Sequence, residues 1–349
     1  MMRVYKNIVL CAIFILVHNA ISFAQINIVT NPSFEILSTC PSSIDQIDSA
    51  IGWNTPLSGG GSPDLYNVCC TAPPLCGVPS QTNFHTFQYP HSGNEYAGID
   101  VAICYYVDNW REYIQSKLRK KLSAGHIYCV TFYASLSDQG LAFIRPLGAY
   151  LDNGSITAPA PYGLATVTPQ IYNTSQLLND TVNWMKVEGS FTAIGTEEYI
   201  TIGNFFSDSA SNIGMFGTPS DWFSYYYIDD VSVIDANLPA FAGNDTLIYP
   251  GDSIFIGRQP EVGLNEDCIW FINGLPKDTI AGMWVKPDST TTYILEQTIC
   301  GNVRWDTVTV SVSGVGIEDY FNEAAFKIYP NPATPAANRK PRNKRHPLH

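Results

Sequence analysis

The sequence contains no Gly-x-Ser-x-Gly elbow, no His-Glu-x-x-His pair and no glycine-rich phosphate loop, so serine-hydrolase, zinc-protease and P-loop chemistries have no carriers. A glycoside hydrolase needs two carboxylates facing each other across a cleft. The adjacent pair Asp229-Asp230 sits within a strand-like run, where neighbouring side chains diverge to opposite faces. A catalytic role is therefore not expected. Cys-x-x-Cys spacing is also missing, which leaves Cys69, Cys70 and Cys76 without a zinc-site pattern, and His85 and His91 lack a third ligand nearby. Strong helix formers are sparse against Tyr, Thr, Ile, Val, Gly and Pro, which excludes a helical bundle and favours an all-β chain. Positive charge is scarce: 19 Lys and Arg stand against 31 Asp and Glu, for a formal charge of −12. Seven of the basic residues lie in the first six and last eleven positions; subtracting them takes the charge from −12 to −19. Nucleic acid is excluded as a partner on that balance. Cations and neutral sugars suit such a surface better than polyanions do.

Long apolar runs are lacking as well. The one present, Ile8 to Val17, is too short to serve as a membrane anchor. It follows Arg3 and Lys6 and precedes Ser22-Phe23-Ala24, the layout of a secretory signal peptide over residues 1–24. Export makes disulfides the expected state of the cysteines. Outside Cys11 in the leader there are eight: Cys40, Cys69, Cys70, Cys76, Cys104 and Cys129, then Cys268 and Cys300. The last two, alone in the C-terminal half, are expected to pair, with Trp270 packed near them. The first six allow fifteen pairings, among which the sequence does not choose.

Short strands rich in β-branched and aromatic residues recur from residue 25 to about 312, separated by Gly, Pro and Asn turns. They divide into a first unit over 25–236 and a second over 237–313. A linker with the start of a further motif follows over 314–334, then a basic tail over 335–349. Arg111 to Leu118 alternates as a strand, Arg119-Lys120-Lys121 reads as a solvated strand end, and Ile26 to Val29 reads as a short strand. Trp53 after Gly52 reads as core. The richest stretch is Tyr225-Tyr226-Tyr227-Ile228-Asp229-Asp230-Val231-Ser232-Val233. Two carboxylates inside a strand call for a partner, which a Ca2+ ion would supply; solvation at a strand end is the other reading.

That stretch resembles the last strand of galactose-binding-like jelly rolls, a group that includes many carbohydrate-binding modules. Asn31-Pro32-Ser33-Phe34-Glu35 resembles the motif that opens them, about 190 residues earlier. The resemblance, covering Ile26 to Asp235, implies a jelly-roll β-sandwich whose first and last strands lie close, with a structural Ca2+ between them. Glu35 and Asp230 are its expected ligands, with Asp229 and Glu95 behind. It also implies glycan binding by aromatic stacking, for which Tyr66, Phe84, His85, Tyr89, Tyr105, Tyr106 and Trp110 are the candidates; packing inside the fold is the competing role for each. The second unit resembles immunoglobulin-like spacer sandwiches of secreted bacterial surface proteins. Phe326 to Thr334 resembles the start of the C-terminal sorting domain read by type IX secretion, but only fifteen residues follow it, too few for that domain. The resemblance implies a secreted or cell-surface location, with the outer-membrane secretion machinery as an export partner. Asp208-Ser209-Ala210 and Asp245-Thr246-Leu247 resemble an O-glycosylation signal found with that route. The resulting expectation is a non-catalytic glycan-binding protein; the alternative is an adhesive or structural module that binds protein or matrix.

Overall fold

A computed structural model describes residues 26–56, 61–79, 87–104, 106, 108–156 and 162–314. The leader, Phe84, His85, Tyr105, the sorting-like motif and the basic tail lie outside the described residues. The first unit contains β1 (Trp53–Asn54), β2 (Asp64–Asn67), β3 (Glu95–Ile103), β4 (Tyr113–Lys117), β5 (Ile127–Leu136), β6 (Ala142–Phe143) and β7 (Leu147–Asp152). It continues with β8 (Ile171–Tyr172), β9 (Met185–Thr192), β10 (Tyr199–Asn204), β11 (Gly214–Met215) and β12 (Phe223–Asp235). Two five-stranded antiparallel sheets, ordered β1-β4-β10-β7-β8 and β2-β3-β12-β5-β9, form a jelly-roll β-sandwich.

Period-2 alternation explains the core. Ala97, Ile99 and Val101 of β3, Val130 and Phe132 of β5, and Tyr226 and Ile228 of β12 face Ile114, Ala149, Leu151, Ile200 and Ile202 of the other sheet. Burial of each large apolar side chain is worth roughly 1.5–3 kcal/mol. The alternate residues of β3 and β12 point away from this core, and they build the face described below.

The long strand β12 is central in its sheet. Its register with β5 breaks between Asp229 and Ser232, where Asp230 adopts φ 49°. Pairing with β3 ends at Ile228, and beyond it the N-terminal segment takes the edge: Val231 N donates to Pro32 O at 2.9 Å and Ile28 N to Val233 O at 3.1 Å. The first and last segments are thus neighbours. The expected strand over Ile26 to Val29 is replaced by one isolated bridge, Val29–Leu118. The physical reason is Asn27, whose amide group donates to Val231 O (3.0 Å) and accepts from Val233 N (3.1 Å), occupying ladder positions with a side chain. The Asn31–Glu35 motif is likewise a packed turn. Phe34 is fully buried against Trp53 at 4.7 Å, and Trp53 Nε1 donates to Asn31 O at 2.8 Å.

The second unit contains β13 (Thr246–Ile248), β14 (Ile254–Gly257), β15 (Cys268–Ile272), β16 (Leu275–Asp278), β17 (Gly282–Val285), β18 (Thr291–Ile299) and β19 (Asn302–Val312). A five-stranded sheet, β13-β19-β18-β15-β16, packs with the β14-β17 ribbon around fully buried Trp270.

The disulfide expected between Cys268 and Cys300 does not form. Cys268 opens β15 opposite Gln297 of β18, while Cys300 lies past the end of β18, in the turn to β19. That turn reaches β5, and Cys300 bonds Cys129 of the first unit, with Cα atoms 5.7 Å apart. Trp270 consequently packs beside a thiol; burial pushes that Cys268 thiol up to about 12, which leaves it inert. Cys40–Cys69 and Cys70–Cys76 staple the irregular stretch after β2, and Cys104 is unpaired. Across the junction Arg304 donates to Ala236 O (2.8 Å), and just past it Gln297 donates to Leu238 O (3.0 Å) within the second unit. Glu261 accepts the amides of Ile26 (2.7 Å) and Asn27 (2.9 Å). Ile234 and Cys129 belong to the same buried cluster as Trp270, so one apolar core runs through the junction.

Candidate functional site

The outer face of the β2-β3-β12-β5-β9 sheet carries a cluster of four tyrosines. Tyr66 of β2, Tyr96 of β3, and Tyr225 and Tyr227 of β12 are all buried, with Val78, Trp184 and Phe223 packed around them. Tyr66 stacks on Tyr96 at 5.2 Å, and Tyr227 meets both edge-on at 5.5 and 5.1 Å. Gly98 lies between Tyr96 and Asp100 on this face, and Tyr225 lies across it to reach Asp64 Oδ2 at 2.5 Å. A methyl group at residue 98 would collide with the Tyr225 hydroxyl, so Gly98→Ala is expected to destabilise the protein by about 1–3 kcal/mol in urea unfolding.

Three carboxylates line the far end of this face. Asp64 accepts from Tyr225 and from Asp45 N (2.7 Å). Glu112 accepts from Ser62 N, Ser62 Oγ and Asp100 N at 2.8–2.9 Å. Burial, with the Glu112 charge adding to it, pushes Asp64 up to about 7. Burial also raises Glu112, and Asp100 is raised well above the usual carboxylate range by burial and by the charges of Glu112 and Asp64. Beside them Trp110 stacks between Tyr106 (4.5 Å) and Tyr162 (3.8 Å), and Tyr162 OH donates to Ser62 Oγ at 3.4 Å. Tyr106 is 60% exposed, and the buried Trp110 Nε1 has no partner among the described residues. At the opposite end, Tyr89 is 58% exposed, meets Phe87 edge-on at 5.1 Å, and accepts the Trp184 indole N–H at 3.0 Å. Trp184 in turn lies 5.9 Å from Tyr96.

Of the aromatic candidates, then, Tyr89, Tyr106 and Trp110 lie on two rims at the ends of this face, whereas Tyr66 is packed inside it. The rims are joined through β3, whose residues 96 and 100 are about 13 Å apart at strand rise. Trp184, Tyr162, Asp64, Asp100 and Glu112 escaped the sequence reading. Same-face alternation of Asp64/Tyr66 and of Tyr96/Gly98/Asp100 is the signal that could have grouped the face.

The four carboxylates expected at a cation site all meet the turn at 91–95. Asp229 accepts the amides of His91 (2.9 Å) and Ser92 (3.2 Å). Asp230 accepts from His91 Nδ1 (2.6 Å), Ser92 Oγ (2.7 Å) and Ser33 Oγ. Burial and the Asp230 charge raise Asp229 well above its ordinary value. Burial opposes ionisation of Asp230 too, yet its bonds to His91, Ser33 and Ser92 hold it below its ordinary value. Glu35 accepts the Asn94 amide at 2.6 Å. Glu95 is 4% exposed, and its Oε2 has no partner among the described residues. Burial and the charge of Glu35 push Glu95 up to about 8. His91 also stacks on Tyr133 at 3.7 Å, and Glu266 of the second unit approaches both, 3.6 Å from His91 Nε2 and hydrogen-bonded to the Tyr133 hydroxyl.

No protein-family model matches the chain, and no curated protein matches it. Among solved structures, it is similar to the CBM22-1 xylan-binding domain from Paenibacillus barcinonensis Xyn10C, at 12% identity and a TM-score of 0.32, over 58% of this chain and 91% of that one. It is similar to TmCBM61 in complex with β-1,4-galactotriose at 15% identity and a TM-score of 0.26, over 60% and 99%. A third likeness is the K3 cleaved adhesin domain of Lys-gingipain from Porphyromonas gingivalis w83, at 13% identity and a TM-score of 0.23, over 43% and 79%. Among the described residues no helix is long and apolar enough to cross a membrane, which says nothing of a β-barrel.

Proposed function

We propose that the chain is a non-catalytic glycan-binding protein of the cell surface or secreted fraction, exported with the help of its leader. The observation that carries this reading is the Tyr106–Trp110–Tyr162 stack, whose Tyr106 end is 60% exposed and whose Tyr162 end is held by Ser62. Pyranose rings offer C–H faces to exposed aromatic rings of this kind. The second unit acts as an immunoglobulin-like spacer. A glycan array probed with the full chain tests this. Binding to one saccharide family, lost in Trp110→Ala with the fold intact by circular dichroism, is the expected result. A blank array from folded protein overturns it and leaves an adhesive module for protein or matrix.

We also propose a structural Ca2+ at the 91–95 turn. Glu35 and Glu95 would supply its side-chain oxygens, because the buried, unpartnered Glu95 Oε2 beside a second carboxylate fits a hard cation. Asp229 and Asp230 would brace the turn through the donors they already hold. Calcium at about 100 times its dissociation constant should stabilise the protein by about 2.7 kcal/mol. The thermal midpoint in calcium against chelator measures this, and Glu95→Gln should abolish the difference. Equal midpoints for the wild type in calcium and in chelator would remove the cation from the account.

A further inference from the structure

The Arg119-Lys120-Lys121 run has no role in the glycan-binding face, and the fold gives it a setting that the linear sequence does not. A cleft of about 670 Å³ opens at the junction of the two units, a volume suited to a small ligand, and domain junctions are favoured places for such sites. Lys120 and His126 reach it from the first unit, and Arg258 and Glu261 from the second. The cleft therefore exists only when the two units are docked, as the Cys129–Cys300 bond and the Glu261 contacts hold them.

Its carboxylates are already engaged. Glu261 accepts the Ile26 and Asn27 amides, while Asp235 accepts from Asn237 N (2.8 Å) and pairs with His126 Nδ1 (2.8 Å). Its cations are not fully used. Lys120 is exposed and has no ion pair or hydrogen bond among the described residues. Arg258 gives one bond to Pro239 O at 3.0 Å and lies over the Phe241 ring at 5.1 Å, which leaves the rest of its guanidinium without a hydrogen-bond partner among the described residues. Arg119 stands beside Lys120 in sequence with its Nε on Val29 O at 3.0 Å. The formal charges of the cleft balance, Lys120 and Arg258 against Asp235 and Glu261, but the acceptors are engaged while Lys120 has donors to spare. Ile26, Ile28, Tyr128, Leu238 and Pro260 supply an apolar wall.

We propose that this junction cleft binds an acidic saccharide through its carboxylate: Lys120 and Arg258 take the anion, and the Leu238–Pro260 wall takes the sugar's C–H face. A neutral sugar would leave those donors unanswered, and a bare inorganic anion would leave the apolar wall unused. The inference rests on the glycan-binding reading but on a separate site.

The test is isothermal titration of the full-length protein with digalacturonic acid, its dimethyl ester and inorganic phosphate. The expected result is that the acid binds at least tenfold more tightly than the ester or phosphate and weakens as salt rises. Lys120→Ala, an exposed change that does not threaten folding, and Arg258→Gln should each weaken it about tenfold, while Trp110→Ala leaves it unchanged. Equal affinity for acid and ester, equal affinity for phosphate, or indifference to Lys120→Ala overturns the proposal. Loss of array binding in Trp110→Ala alongside an absence of uronate binding would sink the cleft and spare the glycan-binding reading.

Discussion

Cys129→Ala/Cys300→Ala is expected to lower the unfolding free energy by about 5 kcal/mol, the loop-closure entropy of a cross-link spanning 171 residues. Apart from the chain itself, no other covalent tie joins the units among the described residues. Docking itself should survive at room temperature. The junction keeps Trp270's apolar cluster, the Arg304 and Gln297 bonds to the Ala236 and Leu238 carbonyls, and the Glu261 clamp on Ile26 and Asn27. On heating, the single transition of the cross-linked chain should split into two, because each sandwich has its own sheets. Calorimetry of the double variant reads both effects, and peptide mapping without reductant reads the bond. A Cys268–Cys300 peptide, or an unchanged single transition, would contradict the assignment. Cys268→Ser should leave the cross-link intact and act only on local packing.

Stability should fall as pH rises from about 4 to 8. Asp64 is pushed up to about 7, Glu112 is raised by burial, and Asp100 is raised by burial and by the charges of Glu112 and Asp64. An unfolded chain releases these protons near pH 4. Between that pH and the folded values, the folded state holds more protons than the unfolded one, so each step up in pH favours unfolding. The contribution is complete below about pH 4 and lost as pH passes through the folded values. For Asp64 alone it is on the order of 4 kcal/mol. Asp230 and Asp180 act in the opposite sense, since both are held below their ordinary value and lose stabilising bonds on acidification. The optimum should therefore lie near pH 4–5. Thermal midpoints from pH 4 to 8, in chelator so that calcium does not enter, measure the slope. Asp64→Asn, which keeps hydrogen-bonding capacity toward Tyr225 and Asp45, should flatten it. The groups facing Asp64 are Asp45, Tyr66, Asp100, Glu112 and Tyr225, and none carries a positive charge that could reverse the sign.

Much of the first sandwich was legible because strand periodicity is local. The stretch Tyr225 to Val233 read as a strand from residue type alone and lies within β12, where Tyr226 and Ile228 are buried in the core. Trp53 read as core and is core. The Asn31–Glu35 and Asp229–Asp230 motifs were expected to meet, and Ser33 bonds Asp230. The segment at Ile26 to Val29 was misread because a side chain, Asn27, stands in for backbone in the ladder, which residue type alone does not reveal. Tyr66 looked like a ligand platform, but the outer face it joins is covered by Val78, Trp184 and the neighbouring tyrosines.

The sequence by itself determined the all-β class, the alternation that selects core residues, the acidic balance and the exposure of the Arg119–Lys121 run. These follow from residue type and short spacing. The tertiary structure alone decided that Cys300 meets Cys129 instead of Cys268, that Asp64, Asp100 and Glu112 share one buried end of a sheet, and that Arg258 comes to stand over a cleft beside Lys120. Each depends on strand order and on the docking of one sandwich against the other. Those are set by the sum of many weak contacts between residues far apart in the chain, and no single stretch of sequence carries that sum.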